Sequence, residues 1–191
     1  MPFKLLNQWI KEENDAGAPN AQQAVLATST LFGIPHSRVI AIREITEQEL
    51  IFFTQKGTRK VIEITEKPQV SLTFWFEINQ REVIIEGLAK PLSPEELEYY
   101  WQTNPRSAQL RFSAYAPTSM HQISTKQLIE DKKHAIEQEY LNKKLPLHPF
   151  YCGFRIKPKK FIFYAYRLDE LSDVSEYNFQ ANQWSKQLLS P

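Results

Sequence analysis

Three cations crowd one short stretch of this sequence. In FFTQKGTRKVIEI, residues 52–64, Lys56, Arg59 and Lys60 stand where an apolar run turns through Gly57 into a short helix. Thr58 is placed to cap that helix, Val61, Ile62 and Ile64 mark its buried side, and Pro68 ends it. A helix start already carries partial positive charge, so cations there are disfavoured by roughly a few tenths of a kcal/mol each. An anion reverses the sign. Backbone N–H groups at a helix start, joined by Lys and Arg, form a site for phosphate above all. Arg38, leading a neighbouring strand run, is a further cation able to reach it. Spacing alone leaves a solvated helix end as the alternative.

Other chemistries find less support. His36, His121, His134 and His148 are scattered, none with a second ligand at metal spacing, so no metal is expected. No G-x-S-x-G, G-x-G-x-x-G or Walker pattern occurs. Cys152 is the only cysteine, which excludes an intramolecular disulfide; in FYCGFR it reads as a small strand residue rather than a nucleophile. Glu95-Glu96 and Lys132-Lys133 read as solvated helix faces, and Phe74-Trp75-Phe76 as barrel core or a subunit contact. Lys+Arg 23 against Asp+Glu 22 leaves a formal charge of +1, which gives no field for nucleic acid or an anionic membrane. No apolar run approaches the roughly 18 residues of a membrane span, and no signal-peptide core opens the chain. A cytoplasmic protein without membrane or nucleic-acid partners is expected.

The elements that must position these residues read as one domain over 1–191. Phe3, Leu5, Leu6, Trp9 and Ile10 recur at helical spacing in a first amphipathic helix. After the loop GAPNAQQ come the strand runs AVLATST, SRVIAIREI and ELIFFT. QVSLTFWFEI and REVIIEGLAKPL then form a long hairpin about Asn79-Gln80. Ser93, Pro94 and Glu96 spell a capping box and N1 proline for a helix. Further helices are expected near 105–115 and 124–142, the latter with Leu128, Ile129, Ala135, Ile136 and Tyr140 on one side. YCGFRIKP, KKFIFYAYRL and a hairpin about NFQANQW close the chain. About seven strands with helices between them predict an α+β antiparallel barrel with peripheral helices.

At this point the sequence resembles the pyridoxamine 5'-phosphate oxidase family. The resemblance is carried by SRVIAIREI, LIFFTQKGTRKVIEITEKPQVSLTFWF and REVIIEGLAKPLSPEELEYYWQTNPRSAQ, in order and spacing. Its most specific part runs without a gap from Arg38 to Lys60. It implies an FMN-binding split β-barrel, a homodimer with flavin at the subunit interface, and oxidation of pyridoxamine or pyridoxine phosphate through hydride transfer to the flavin and then electrons to O2. Arg38, Phe53 (in place of a tyrosine), Thr54, Thr58, Arg59 and Lys60 fall on flavin-binding positions. So do Glu82, in place of a glutamine, and Tyr164, in place of a tryptophan; both are expected from the partner subunit. Arg43 and Tyr100 fall on substrate positions. No catalytic residue is assigned.

The pattern then departs. The family's substrate-phosphate arginine and serine correspond to Asn104 and Ala108. A Gln-Ser pair falls near Ser119-Met120. The C-terminal R-L-H-D-R signature is replaced, by Glu170, Ser172 and Val174 in a gapless register or by Arg167, Asp169 and Leu171 in a shifted one. Three readings remain: an FMN-dependent oxidase of this type acting on pyridoxamine phosphate or on a different small substrate, a split barrel that binds FMN or another planar cofactor without that activity, and a degenerate paralogue whose phosphate site is vestigial.

Overall fold

Alternation of buried and less buried residues builds the central strands. In β4 (Gln69–Phe76), Val70, Leu72, Phe74 and Phe76 point inward and the residues between them outward. The computed structural model describes residues 1–191. Its other strands are β1 (Gln23–Ser29), β2 (Pro35–Ile45), β3 (Leu50–Gln55), β5 (Arg81–Pro91), β6 (Tyr151–Ala165), β7 (Asp173–Gln180) and β8 (Gln183–Leu189). The sheet order is β3-β2-β1-β4-β5-β6-β7-β8, and a further β3–β6 pairing closes the first six strands into an antiparallel barrel. The expected strand runs are present, with YCGFRIKP and most of KKFIFYAYRL fused into the single strand β6. That leaves eight strands in all.

Five helices accompany the barrel: α1 (Pro2–Asp15), α2 (Arg59–Glu66), α3 (Pro94–Thr103), α4 (Arg106–Tyr115) and α5 (Gln127–Glu139). None is long and apolar enough to cross a membrane. The capping box of α3 forms as read, with the Ser93 hydroxyl accepting from Glu96 N and the Glu96 carboxylate accepting from Ser93 N.

The chain divides into two compact units. The first holds Met1–Phe52, Glu63–Lys90 and Phe154–Pro191; the second holds Phe53–Ile62 and Pro91–Gly153. In the first, α1 lays Phe3 against Phe161 and Trp184, and Trp9 against Phe76 and Phe163. Its buried Glu13 accepts from the backbone N–H groups of Ile78 and Asn79 at 2.9 and 3.1 Å, which fixes the β4–β5 turn. In the second, Trp101, Leu110, Phe112, Ala116, Leu145 and Tyr151 form the core, and Trp101 Nε1 donates to Leu145 O at 3.0 Å.

Two helix faces differ from expectation. On α2, Ile62 is exposed and Glu63 is buried beside Ile64, because the inward stripe is turned by one residue. On α5 no residue is fully buried; Ile136 and the flanking Tyr140 pack on the second core, whereas Leu128 and Ala135 face solvent.

Candidate functional site

In the second unit the strand-to-helix turn takes shape around Gly57, whose φ of +81° suits a residue without Cβ. Thr58 opens α2 as its sequence position suggests, and its carbonyl accepts from Val61 N and Ile62 N at 2.9 and 3.2 Å. Its hydroxyl, however, is buried and donates backward to Gln55 O at 2.8 Å instead of capping an N–H. Gln55 itself is buried; its Nε2 donates to Pro117 O at 2.7 Å and its Oε1 accepts from Ser119 N at 3.3 Å. The crowded cations separate. Lys56 Nζ donates to Pro149 O at 2.8 Å, Lys60 Nζ donates to Thr54 Oγ1 at 3.2 Å, and Arg59 is exposed. Thr54, Thr58, Arg59 and Lys60 thus occupy one turn, with a hydroxyl, an ammonium and a guanidinium within its compass.

An aromatic group follows Thr54 on its strand neighbours. Phe53 stacks on Tyr151, with centroids 5.1 Å apart and planes 11° apart, and meets Tyr100 at 5.0 Å. Asn104, at the position where the family resemblance expects an arginine, donates from Nδ2 to Tyr151 Oη at 3.0 Å. Cys152 is buried, its Sγ 3.4 Å from Thr54 O. Burial pushes its thiol up to about 11, against the opposing pull of Lys56 and Lys60.

In the first unit Arg38 belongs to a largely buried polar network that the sequence reading did not anticipate. Its Nη1 donates to Thr28 Oγ1 at 2.6 Å and Leu26 O at 3.3 Å, and its Nη2 lies 3.6 Å from Glu63 Oε2. The Thr28 hydroxyl in turn donates to Glu63 Oε2. On the other side, His36 Nδ1 faces Glu63 Oε1 at 2.6 Å. Burial alone raises the Glu63 carboxyl, but the Thr28 and His36 hydrogen bonds and the Arg38 charge outweigh it and hold the group below its ordinary value. The signal available in sequence was a lone acid inside the apolar run VIEI.

Arg43 stands apart. Ile42 pairs with Phe52 and Glu44 with Ile51, so Arg43 is the extra residue of a β-bulge, and it is exposed. Glu82 and Tyr164 are brought together through Tyr166: the Tyr164 and Tyr166 rings lie 4.3 Å apart, and Tyr166 Oη is 3.5 Å from Glu82 Oε2. Trp75 meets Tyr166 edge to face at 5.6 Å. Of Phe74-Trp75-Phe76, only the phenylalanines are core; Trp75 is 50% exposed.

The architecture defines the class: an α+β split β-barrel with peripheral helices. The family model described as pyridoxamine 5'-phosphate oxidase matches residues 10–140. Among curated relatives, a pyridoxine/pyridoxamine 5'-phosphate oxidase of Alteromonas mediterranea is 33% identical over 191 residues, covering 100% of this chain and 89% of the relative. A pyridoxine-5'-phosphate oxidase of Dictyostelium discoideum is 32% identical, covering 100% and 84%. Among solved structures, PhzG from Burkholderia lata 383, in complex with tetrahydrophenazine-1-carboxylic acid, superposes with a TM-score of 0.87 at 26% identity, covering 100% and 92%. A pyridoxamine 5'-phosphate oxidase-related, FMN binding protein of Nostoc punctiforme gives 0.81 at 18% identity, covering 100% and 98%, a likeness of fold. The chain belongs to the pyridoxamine 5'-phosphate oxidase family.

Proposed function

We propose that this chain is an FMN-dependent oxidoreductase of the pyridoxamine 5'-phosphate oxidase type, with its substrate side altered. One observation carries the reading: the Thr54–Lys60 turn sets a hydroxyl, an ammonium and an exposed guanidinium beside the first N–H groups of α2. That donor set fits a phosphate dianion, which offsets the cost of cations at a helix start. Thr54, Thr58, Arg59 and Lys60 would hold the phosphate end of FMN. Arg38 is assigned to the same ligand by family position, and Phe53, Glu82 and Tyr164 likewise. When bound, FMN supplies the redox chemistry, accepting a hydride from the substrate and handing electrons to O2. The chain's own residues bind and orient.

The substrate is the finer question. On the substrate positions Arg43, in place of a lysine, keeps the charge and Tyr100 keeps the phenol, but Asn104 spends its amide on Tyr151 and Ala108 offers no hydroxyl. Such a side recognises a substrate phosphate less strongly and favours a small reduced compound of different shape. The relatives named for pyridoxine phosphate oxidation and the structure of PhzG with a reduced phenazine carboxylate support the class of chemistry and a change of substrate respectively. The same losses favour a second reading, a barrel that holds FMN without oxidising pyridoxamine phosphate.

A homodimer and the cytoplasm complete the proposal, with residues 1–191 acting as one flavin-binding domain. Support for the dimer comes from an outward row across four strands, Val39–Val25–Thr73–Ile84, in which Val25 and Val39 are 39% and 62% exposed.

The test is the visible spectrum of protein purified without added cofactor, with mass identification of any released chromophore. A flavin spectrum yielding FMN is expected. An Arg59→Glu/Lys60→Glu variant should lose it; full retention of FMN by that variant would remove the phosphate from this turn.

A further inference from the structure

In the second unit, α4 and α5 leave a gap between them. Packed interiors hold few voids larger than a water molecule, yet a cavity of about 210 Å³ lies along this junction. Polar ties at both ends fix the spacing. Lys132 Nζ on α5 donates to Ala116 O, just past α4, at 2.7 Å. Arg106 Nη1 on α4 donates to Lys143 O, beyond α5, at 3.0 Å. Ala114, Tyr115 and Ile129 give the cavity apolar walls, and Ser107, Arg111, Glu130 and Lys133 complete its lining. Glu130 lies 3.9 Å from both Lys126 and Lys133 on its own helix, so its charge is already matched. The exposed Arg111 guanidinium has no carboxylate or carbonyl upon it. Burial pushes the Tyr115 phenol up and the Arg111 charge pulls it down, which sets that charge beside the ring.

We propose that this cavity binds a small monocarboxylate with a planar or branched apolar body. The site lies wholly within the second unit and does not depend on the FMN reading. The ligand chemistry follows from the lining. One unmatched guanidinium calls for one negative charge, and the Ser107 and Tyr115 hydroxyls line the same space as further donors. The Glu130 carboxylate disfavours a dianion such as phosphate. The Tyr115 ring, Ile129 and Ala114 take an apolar body, the usual division of labour in a small-molecule site. An apolar cavity of about 150 Å³ takes benzene, so 210 Å³ has room for a ring with a carboxylate on it.

The experiment titrates the full chain with benzoate and with its neutral isostere benzamide, following backbone amide shifts by NMR. Benzoate should bind with a Kd of about 1 mM or below, as suits so small a ligand, and the shifts should cluster in α4 and α5. Benzamide should bind about tenfold more weakly, because it lacks the charge. Arg111→Gln, a change at an exposed position, should weaken benzoate by about the same factor and leave benzamide unchanged. Ile129→Trp should fill the cavity and abolish both, whereas Leu128→Ala, on the exposed side of α5, should abolish neither. The Arg59→Glu/Lys60→Glu variant should bind benzoate as the wild type does, since the phosphate turn takes no part. Loss of benzoate binding in that variant would put the anion at the turn and overturn the site. So would equal binding of benzoate and benzamide, full benzoate affinity in Arg111→Gln, or no binding of benzoate to the wild type. Failure of FMN to bind would leave this proposal standing.

Discussion

His36 Nδ1 lies 2.6 Å from Glu63 Oε1, with both atoms shielded from solvent and no other polar partner for either. Two acceptors cannot approach so closely, so Nδ1 carries the proton and donates it. Glu63 Oε2 meanwhile receives the Thr28 hydroxyl and faces Arg38. One carboxylate thereby binds β1, β2 and α2 together and holds the guanidinium assigned to the cofactor.

Glu63→Gln should accordingly destabilise the fold by about 2–3 kcal/mol, since it leaves a largely buried guanidinium without its counter-charge. Denaturant unfolding at neutral pH measures this. The pH dependence has a definite sign. A carboxyl held low in the folded state contributes fully above its unfolded value and loses that contribution as pH falls through the folded one. The gap between wild type and variant should be widest at neutral pH and narrow below about pH 4.5. A gap that widened on acidification would contradict the assignment.

Cys152 offers a second test. Its thiol is pushed to about 11 by burial, so at pH 8 the thiolate is scarce and the sulfur is covered. Labelling by a thiol reagent at pH 8 should be about a hundredfold or more slower in native than in unfolded protein. Between pH 7 and 10 the native rate should climb without a plateau. Rapid native labelling would instead identify an accessible, activated cysteine.

What the sequence disclosed depended on how local each signal was. The Ser93–Glu96 box and the β4–β5 hairpin are written within a few residues of themselves, and both were legible. The burial of Glu63 was not, because its partner Thr28 lies 35 residues away and its charge argued for solvent. Lys56 read as one of three cations awaiting an anion, yet it is held by a carbonyl 93 residues further on. Arg43 could be aligned, but the bulge it sits in was not legible, because it depends on pairing with β3. Trp75 shared an apolar triplet with two core residues, and only strand parity separates it from them.

Gly153 makes a steric prediction in the second unit. A Cβ built there would lie 2.6 Å from Phe53 Cδ1 and 2.8 Å from Leu92 Cδ1. Phe53 cannot simply swing away, because it is stacked on Tyr151 and packed against the tilted ring of Tyr100. Gly153→Ala should cost about 1–3 kcal/mol by overpacking, seen as a lower midpoint of thermal unfolding. Adding Phe53→Leu should recover part of the loss, giving a non-additive pair. An unchanged midpoint in the single variant would show that the aromatic stack is looser than these distances require.

The substrate side can be tested by restoring what the family resemblance expects. Asn104 is half-buried and its amide is committed to Tyr151 Oη. Asn104→Arg exchanges that neutral contact for a cation on the position of the family's substrate-phosphate arginine. A charge-assisted hydrogen bond contributes about 1.5–3 kcal/mol, and each 1.4 kcal/mol is about tenfold in affinity. If the substrate position carries over to this chain, pyridoxamine phosphate should bind about 10- to 100-fold more tightly to the variant. Binding of unphosphorylated pyridoxamine should change little. Titration of FMN-loaded protein with both compounds reads the difference. A Tyr151→Phe variant, which releases the Asn104 amide without adding charge, separates the new cation from the freed side chain. Equal affinity gains for both ligands, or none for the phosphate, would mean that position 104 does not face the substrate's phosphate in this protein.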